Sequence, residues 1–109
     1  MDEQLKFIIE QFEKNEINYW IDSGTLLGLV RDGKLIEGDN DIDVGVWETE
    51  INKIENWLPV NLSSEQHNTK KYFYGNKVYK IKIEDNKNPL ARTIDINIFR
   101  KTGDFAYCP

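Results

Sequence analysis

The chain has 109 residues, 30% of them charged, and a net charge of −5 at pH 7. That length supports one domain, residues 1–109, around a single modest core, and the acidic balance argues against nucleic acid or an anionic membrane surface as the main partner. One cysteine, Cys108, excludes an internal disulfide framework and a Cys-based zinc site. No apolar run approaches the ~18 residues of a membrane span, and the acidic start Met1-Asp2-Glu3-Gln4 is unlike a secretory signal. A soluble, cytoplasmic protein is expected.

Leu5, Ile8, Ile9 and Phe12 recur at i, i+3, i+4 and i+7, which predicts an amphipathic helix over 3–14 with Asp2 near its cap. Ile17 to Asp22 alternates as a strand, with Ile17, Tyr19 and Ile21 on one face. Ser23 is the expected N-cap of a short helix from about Gly24 to Arg31, whose apolar stripe is Leu26, Leu27 and Val30. Asp32-Gly33 signals a turn and residues 34–40 a loop. From Ile42 to Trp47 the alternation returns, with Ile42, Val44 and Val46 opposite Asp41, Asp43 and Gly45.

Thr49 is placed to cap a helix carrying Ile51, Ile54 and Leu58, which Pro59 is expected to end, and a short strand is expected near Val60-Asn61-Leu62. Residues 71–74 and 77–83 flank Gly75-Asn76, a two-residue hairpin connection. After a polar loop over 84–89, Ile94, Ile96 and Ile98 make one strand face and Asp95, Asn97 and Phe99 the other. A turn is expected over Lys101 to Asp104.

Side chains of alternate strand residues share a face, so Asp41 and Asp43 project together with about 6–7 Å between their Cα atoms. That spacing suits two carboxylates sharing one hard cation, or two cations roughly 3.5–4 Å apart acting on phosphate. Oxygen-only ligands favour Mg²⁺ or Mn²⁺. Asp95 sits in the same surroundings, between isoleucines in a strand. If the two strands are neighbours, their Ile/Val faces pack on helices and the three carboxylates meet on the opposite face. The fold expected is therefore α+β (or α/β), a small mixed sheet with helices on one face and the site on the other. The helix start at Ser23-Gly24-Thr25 adds a seat for phosphate, because its N–H groups and dipole attract anions.

Ser23-Gly24-Thr25, Asp41-Ile42-Asp43-Val44 and Ile94-Asp95-Ile96 together resemble the DNA polymerase β-type nucleotidyltransferase superfamily. More narrowly, Gly24 to Arg31, followed by Gly33 and by Ile36 to Asp43, closely resembles the LicD family, associated with phosphocholine transfer to cell-surface glycans. The resemblance implies metal ligation by Asp41 and Asp43, with Asp95 as a further ligand or as base for the acceptor hydroxyl. It implies a donor-phosphate seat at Ser23, Gly24 and Thr25, and for Arg31 either a donor contact or a pin on the loop before Asp39. The implied donor is a CDP-alcohol such as CDP-choline and the acceptor a sugar or glycan; transfer of a nucleoside monophosphate from an NTP is the alternative, and a non-catalytic nucleotide-binding domain of this fold a third reading. Two positions depart from the family's pattern: Glu37-Gly38 stands where Pro-Trp is usual, and Asn40 where an acid is usual.

Lys70, Lys71, Lys77, Lys80 and Lys82 make the hairpin basic and are read as a solvated sheet face, with the alternative that Lys80 and Lys82, which share one side, meet a donor pyrophosphate. Trp20 and Trp47 are read as packing residues rather than a platform for a base or choline, and His67 as exposed and inert.

Overall fold

The protein is described by a computed structural model covering residues 2–36, 38, 40–61, 66–102 and 105–107. The first helix, α1 (Glu3–Lys14), begins where Asp2 accepts hydrogen bonds from the N–H groups of Gln4 and Leu5. It ends in two back-directed bonds, Glu16 N–H to the Glu13 carbonyl at 3.3 Å and Ile17 N–H to the Phe12 carbonyl at 2.9 Å. That C-terminal motif needs a left-handed residue, and Glu16 takes that conformation with φ 56°.

Strand β1 is only Trp20–Ile21, shorter than the alternation over 17–22 suggests, because only these two residues pair with the next strand. The second helix, α2, runs Ser23–Asp32 and closes on Gly33 in the left-handed region, φ 69°. Its expected apolar stripe is wrong. Leu26, Leu27 and Val30 are exposed, whereas Thr25 and Gly28 are its buried residues. The helix packs by backbone approach: a Cβ on Gly28 would lie 2.7 Å from the Lys34 carbonyl oxygen, so the loop after the helix folds back against it.

Strand β2 (Asp41–Trp47) leads through a 3-10 turn, Glu48–Glu50, into α3 (Ile51–Asn61). Pro59 lies within the last turn of α3 rather than ending it, since there a proline forfeits a single late backbone bond. Residues 60 and 61 therefore continue the helix instead of starting a strand, and Leu62 is outside the described residues. Strands β3 (His67–Tyr74) and β4 (Lys77–Asp85) form the hairpin about Gly75-Asn76, with a bulge beside Tyr72 and Phe73. Strand β5 (Thr93–Thr102) extends past the expected turn at Lys101, and β6 (Phe105–Tyr107) pairs back on it. Gly103 and Asp104, like Glu37, Asp39 and Cys108, are outside the described residues.

The strands form a mixed sheet in the order β1-β2-β5-β4-β3 with β6 on β5. The β2–β5 pair is parallel and the others antiparallel. Ile42, Val44 and Val46 lie beside Ile94, Ile96 and Ile98, all fully buried with Ile81 and Ile83 from β4. Leu5, Ile8 and Phe12 of α1 and Ile54 and Trp57 of α3 complete the same core. Each such side chain contributes roughly 1.5–3 kcal/mol relative to exposure, so this face fixes the strand register, and register fixes which residues share the other face. His67 is half-buried rather than exposed, stacked on Phe7 with ring centroids 5.5 Å apart. Among the described residues no helix is long and apolar enough to cross a membrane.

Candidate active site

On the face away from the core, the parallel register puts Asp41 beside Thr93, Asp43 beside Asp95, Gly45 beside Asn97 and Trp47 beside Phe99. The antiparallel β4 brings Lys82 beside Asp95 and Lys80 beside Asn97. Asp41, Asp43, Asp95, Lys80 and Lys82 thus lie on one surface, assembled from three strands.

Each carboxylate has its own support. Asp41 accepts from the Thr93 hydroxyl at 2.7 Å and Asp43 from the Asn97 amide at 3.4 Å. Asp95 is only 4% exposed, and its two oxygens lie 3.7 Å from Lys82 Nζ and 4.0 Å from Lys80 Nζ. Its Oδ1 is buried without a hydrogen-bond partner. Thr93 and Asn97 were not singled out from sequence, although both share Asp95's face by strand parity.

Crowding these acids has an electrostatic cost. Burial pushes the Asp43 carboxyl above the ordinary carboxylate range; the Asn97 hydrogen bond opposes this, while the charges of Asp95, Asp41 and Asp22 push it further up. Burial also raises Asp95, against the Lys82 charge, with Asp41 raising it and Lys80 lowering it. Oxygen donors under mutual repulsion suit a hard divalent cation, so Asp41 and Asp43 are the residues that could hold Mg²⁺ or Mn²⁺. Among the described residues no group of three His, Cys, Asp or Glu side chains is arranged to hold a metal ion. The three carboxylates share a face, and the third is drawn toward the two lysines.

The start of α2 is tied directly to this strand. The Asp22 N–H donates to the Asp43 carbonyl at 3.0 Å, and the Asp43 N–H donates to Thr25 Oγ1 at 2.9 Å. Where the chain leaves β1 for the helix, the threonine hydroxyl replaces the carbonyl that a longer strand would have supplied. Thr25 is 1% exposed, so its hydroxyl is a strut for Asp43. The cap position is Asp22 rather than Ser23; Asp22 makes no side-chain cap bond, and Ser23 is left-handed with φ 51°. An uncommon conformation for a non-glycine residue, it turns the chain into α2 next to the carboxylates, with Gly24 following.

Arg31 is not brought to the acids. It is well exposed and pairs with Asp32 at 3.2 Å. The pinning of the loop after α2 is done by Arg92, whose guanidinium reaches Asp2 at 2.7 Å and the Ile36 carbonyl at 3.3 Å. Asn40, at the family's usual acidic position, contributes a backbone contact, accepting from the Thr93 N–H at 2.9 Å.

The family model LicD/FKTN/FKRP, nucleotidyltransferase domain, matches residues 16–105. An uncharacterized protein of Rickettsia typhi is 37% identical over 95 residues, which are 87% of this chain and 27% of that protein. The ribitol 5-phosphate transferase FKRP of Homo sapiens is 30% identical over 53 residues, 49% of this chain and 11% of that protein. The chain therefore spans about a quarter or less of these curated relatives. In three dimensions it is similar to ANT(2")-Ia in complex with adenylyl-2"-tobramycin, with a TM-score of 0.63 at 12% identity over 96% of this chain and 53% of that one. A solution structure of ANT(2'')-Ia gives 0.61 at 14% identity, covering 99% and 54%. The fold is that of the nucleotidyltransferases.

Proposed function

The chain belongs to the LicD/FKTN/FKRP nucleotidyltransferase family, and on that premise we propose that it is a metal-dependent transferase moving a phospho-alcohol group from a CDP-activated donor to a sugar or glycan hydroxyl. The observation that carries the reading is the pairing of Asp43 with Asp95, with Asp41 two residues along the same face. The similarity to a ribitol 5-phosphate transferase supports phospho-alcohol transfer over transfer of a nucleotide.

Asp41 and Asp43 would hold Mg²⁺ or Mn²⁺, which when bound supplies positive charge to the phosphate oxygens of the donor. The acceptor oxygen forms a bond to the phosphorus carrying the alcohol, the bond from that phosphorus to the CMP oxygen breaks, and the hydroxyl proton must be taken up. Asp95 is the group for that proton: burial makes its carboxylate a stronger base than usual, and it stands beside Asp43. Lys82 and Lys80, now within 4.0 Å of Asp95, face the donor pyrophosphate and offset its charge. The first turn of α2, at Ser23, Gly24 and Thr25, contributes backbone N–H groups to the same phosphates. Arg31 has no role in this scheme.

The reaction products test the reading. With Mg²⁺, a CDP-alcohol such as CDP-choline and a sugar acceptor, CMP release is expected, lost in Asp43→Ala. Pyrophosphate release from CTP or ATP instead would identify nucleotidyl transfer, and neither product would remove both enzymatic readings.

A further inference from the structure

Beyond the acids, the same face carries three large aromatic rings. Trp20, cross-strand partner of Gly45, lays its indole flat on that glycine, where a Cβ would come within 2.3 Å of Cε2 and Nε1. Its ring centroid is 5.2 Å from that of Trp47 and 5.1 Å from that of Phe99, and Trp47 and Phe99 are themselves a register pair. None of the three is sealed: all remain partly exposed, although burying them would be the favourable course for purely structural rings. The row after Phe99 brings Lys101 Nζ to 4.7 Å over the Trp47 ring.

These rings begin one alternate row, about 6–7 Å, from Asp43 and Asp95 and continue for another. Row by row the face reads Asp43, Asp95 and Lys82, then the Trp20 indole over Gly45 with Asn97 and Lys80, then Trp47 with Phe99, then Lys101. A nucleotide has the same order: phosphate charge, a sugar, and a flat ring whose polar edge offers acceptors to an ammonium group. We infer that Trp20, Trp47 and Phe99 form the subsite for the base of the nucleotide donor, the base displacing the Lys101 amine from over the Trp47 ring to its own polar edge. The assignment rests on the proposed function for the phosphate end only. The rings are tilted against one another by 60° and 56°, so a base stacks on one ring face of this aromatic shelf at a time; such stacking accepts any base and leaves discrimination among bases to polar contacts. Gly45 is then a shaping residue, there so that the indole lies low enough to leave room above the sheet.

Two of the three tryptophans are on the shelf and Trp57 is in the core, so the protein's own fluorescence reports occupancy. Emission is followed during titration with CMP, AMP, ribose 5-phosphate and pyrophosphate in the presence of Mg²⁺. Both nucleotides are expected to quench and shift the emission, whereas the two base-free phosphates leave it unchanged. Trp47→Leu is expected to weaken CMP binding about 5- to 150-fold, the value of one base stack. Its Mn²⁺ affinity, read from the electron paramagnetic resonance of free ion, stays at the wild-type value. Phe99→Leu is the parallel variant should Trp47→Leu fail to fold. Equal response to CMP and ribose 5-phosphate, or undiminished CMP affinity in a folded Trp47→Leu or Phe99→Leu protein, overturns the shelf. Quenching by CMP without any Mn²⁺ binding would uphold the shelf while removing the metal-dependent reading.

Discussion

Replacing Thr25 by valine exchanges one buried hydroxyl for a methyl and leaves the shape of the side chain almost unchanged. What changes is the Asp43 N–H, which loses its acceptor at 2.9 Å in a place where Thr25 itself is 1% exposed. A buried donor deprived of its partner costs about 1–3 kcal/mol. For a domain of this size each kcal/mol moves Tm by roughly 4–8 °C, so Thr25→Val should lower Tm by at least ~4 °C. Thr25→Ser keeps the acceptor and forfeits one methyl, a loss of about 0.8 kcal/mol, so it should fall between. The diagnostic is amide hydrogen exchange at Asp43: protection drops in the valine variant and is kept in the serine variant. Mn²⁺ affinity should fall about tenfold in valine alone, because the backbone under Asp43 is no longer held. Equal Tm and equal Asp43 protection in the two variants would refute the idea that this hydroxyl ties α2 to the carboxylate strand.

Three further outcomes follow from particular contacts. Because burial and neighbouring acids raise the Asp43 pKa in the folded chain, its charge opposes folding at neutral pH. The folded state binds that proton more tightly than the unfolded one, so the group favours folding below the unfolded carboxylate pKa, about 3.9, and this contribution is lost as pH rises through the folded value. Asp43→Asn should therefore raise Tm at pH 7 in chelator, with the gain shrinking as the pH is lowered and disappearing once wild-type Asp43 is protonated; thermal melts across pH check it. Gly45→Ala places a methyl 2.3 Å from the Trp20 indole and should cost about 1–3 kcal/mol, with a red-shifted tryptophan emission. Glu16→Gly, at φ 56°, relieves a left-handed strain of about 1–2 kcal/mol less the entropy glycine loses, so a small gain in denaturation midpoint is expected.

The sheet and its site face were readable wherever alternation was strict. Ile42-Val44-Val46 and Ile94-Ile96-Ile98 announced two strands with one buried face, and parity alone then put Asp41, Asp43 and Asp95 on the other. Helix α1 was equally plain from its i, i+3, i+4, i+7 spacing. Helix α2 was readable in its span, from the start at Ser23-Gly24 to the Asp32-Gly33 turn, but not in its buried face, because its burial runs through Thr25 and Gly28: a hydroxyl bonded to a strand and a missing Cβ leave no hydrophobic periodicity to read. The exposed Leu26, Leu27 and Val30 supplied a false stripe in its place. For Arg31 the family resemblance implied either a donor contact or a pin on the loop before Asp39, and tertiary geometry gives the pinning role to Arg92, 61 residues further along the chain. The lysines were legible as sharing one side, whereas their approach to Asp95 depends on β4 lying beside β5, a pairing that no local pattern specifies.

In the proposed function Asp41 and Asp43 form a cation site on which a nucleotide donor is held. Isothermal titration of Mn²⁺ into the wild-type chain and into Asp41→Ala and Asp43→Ala, each with and without CDP-choline, tests it most directly. Saturable Mn²⁺ binding that tightens with CDP-choline and is lost in both variants is the predicted result. A wild-type chain that binds no Mn²⁺, or variants that bind it as tightly as the wild type, would contradict it.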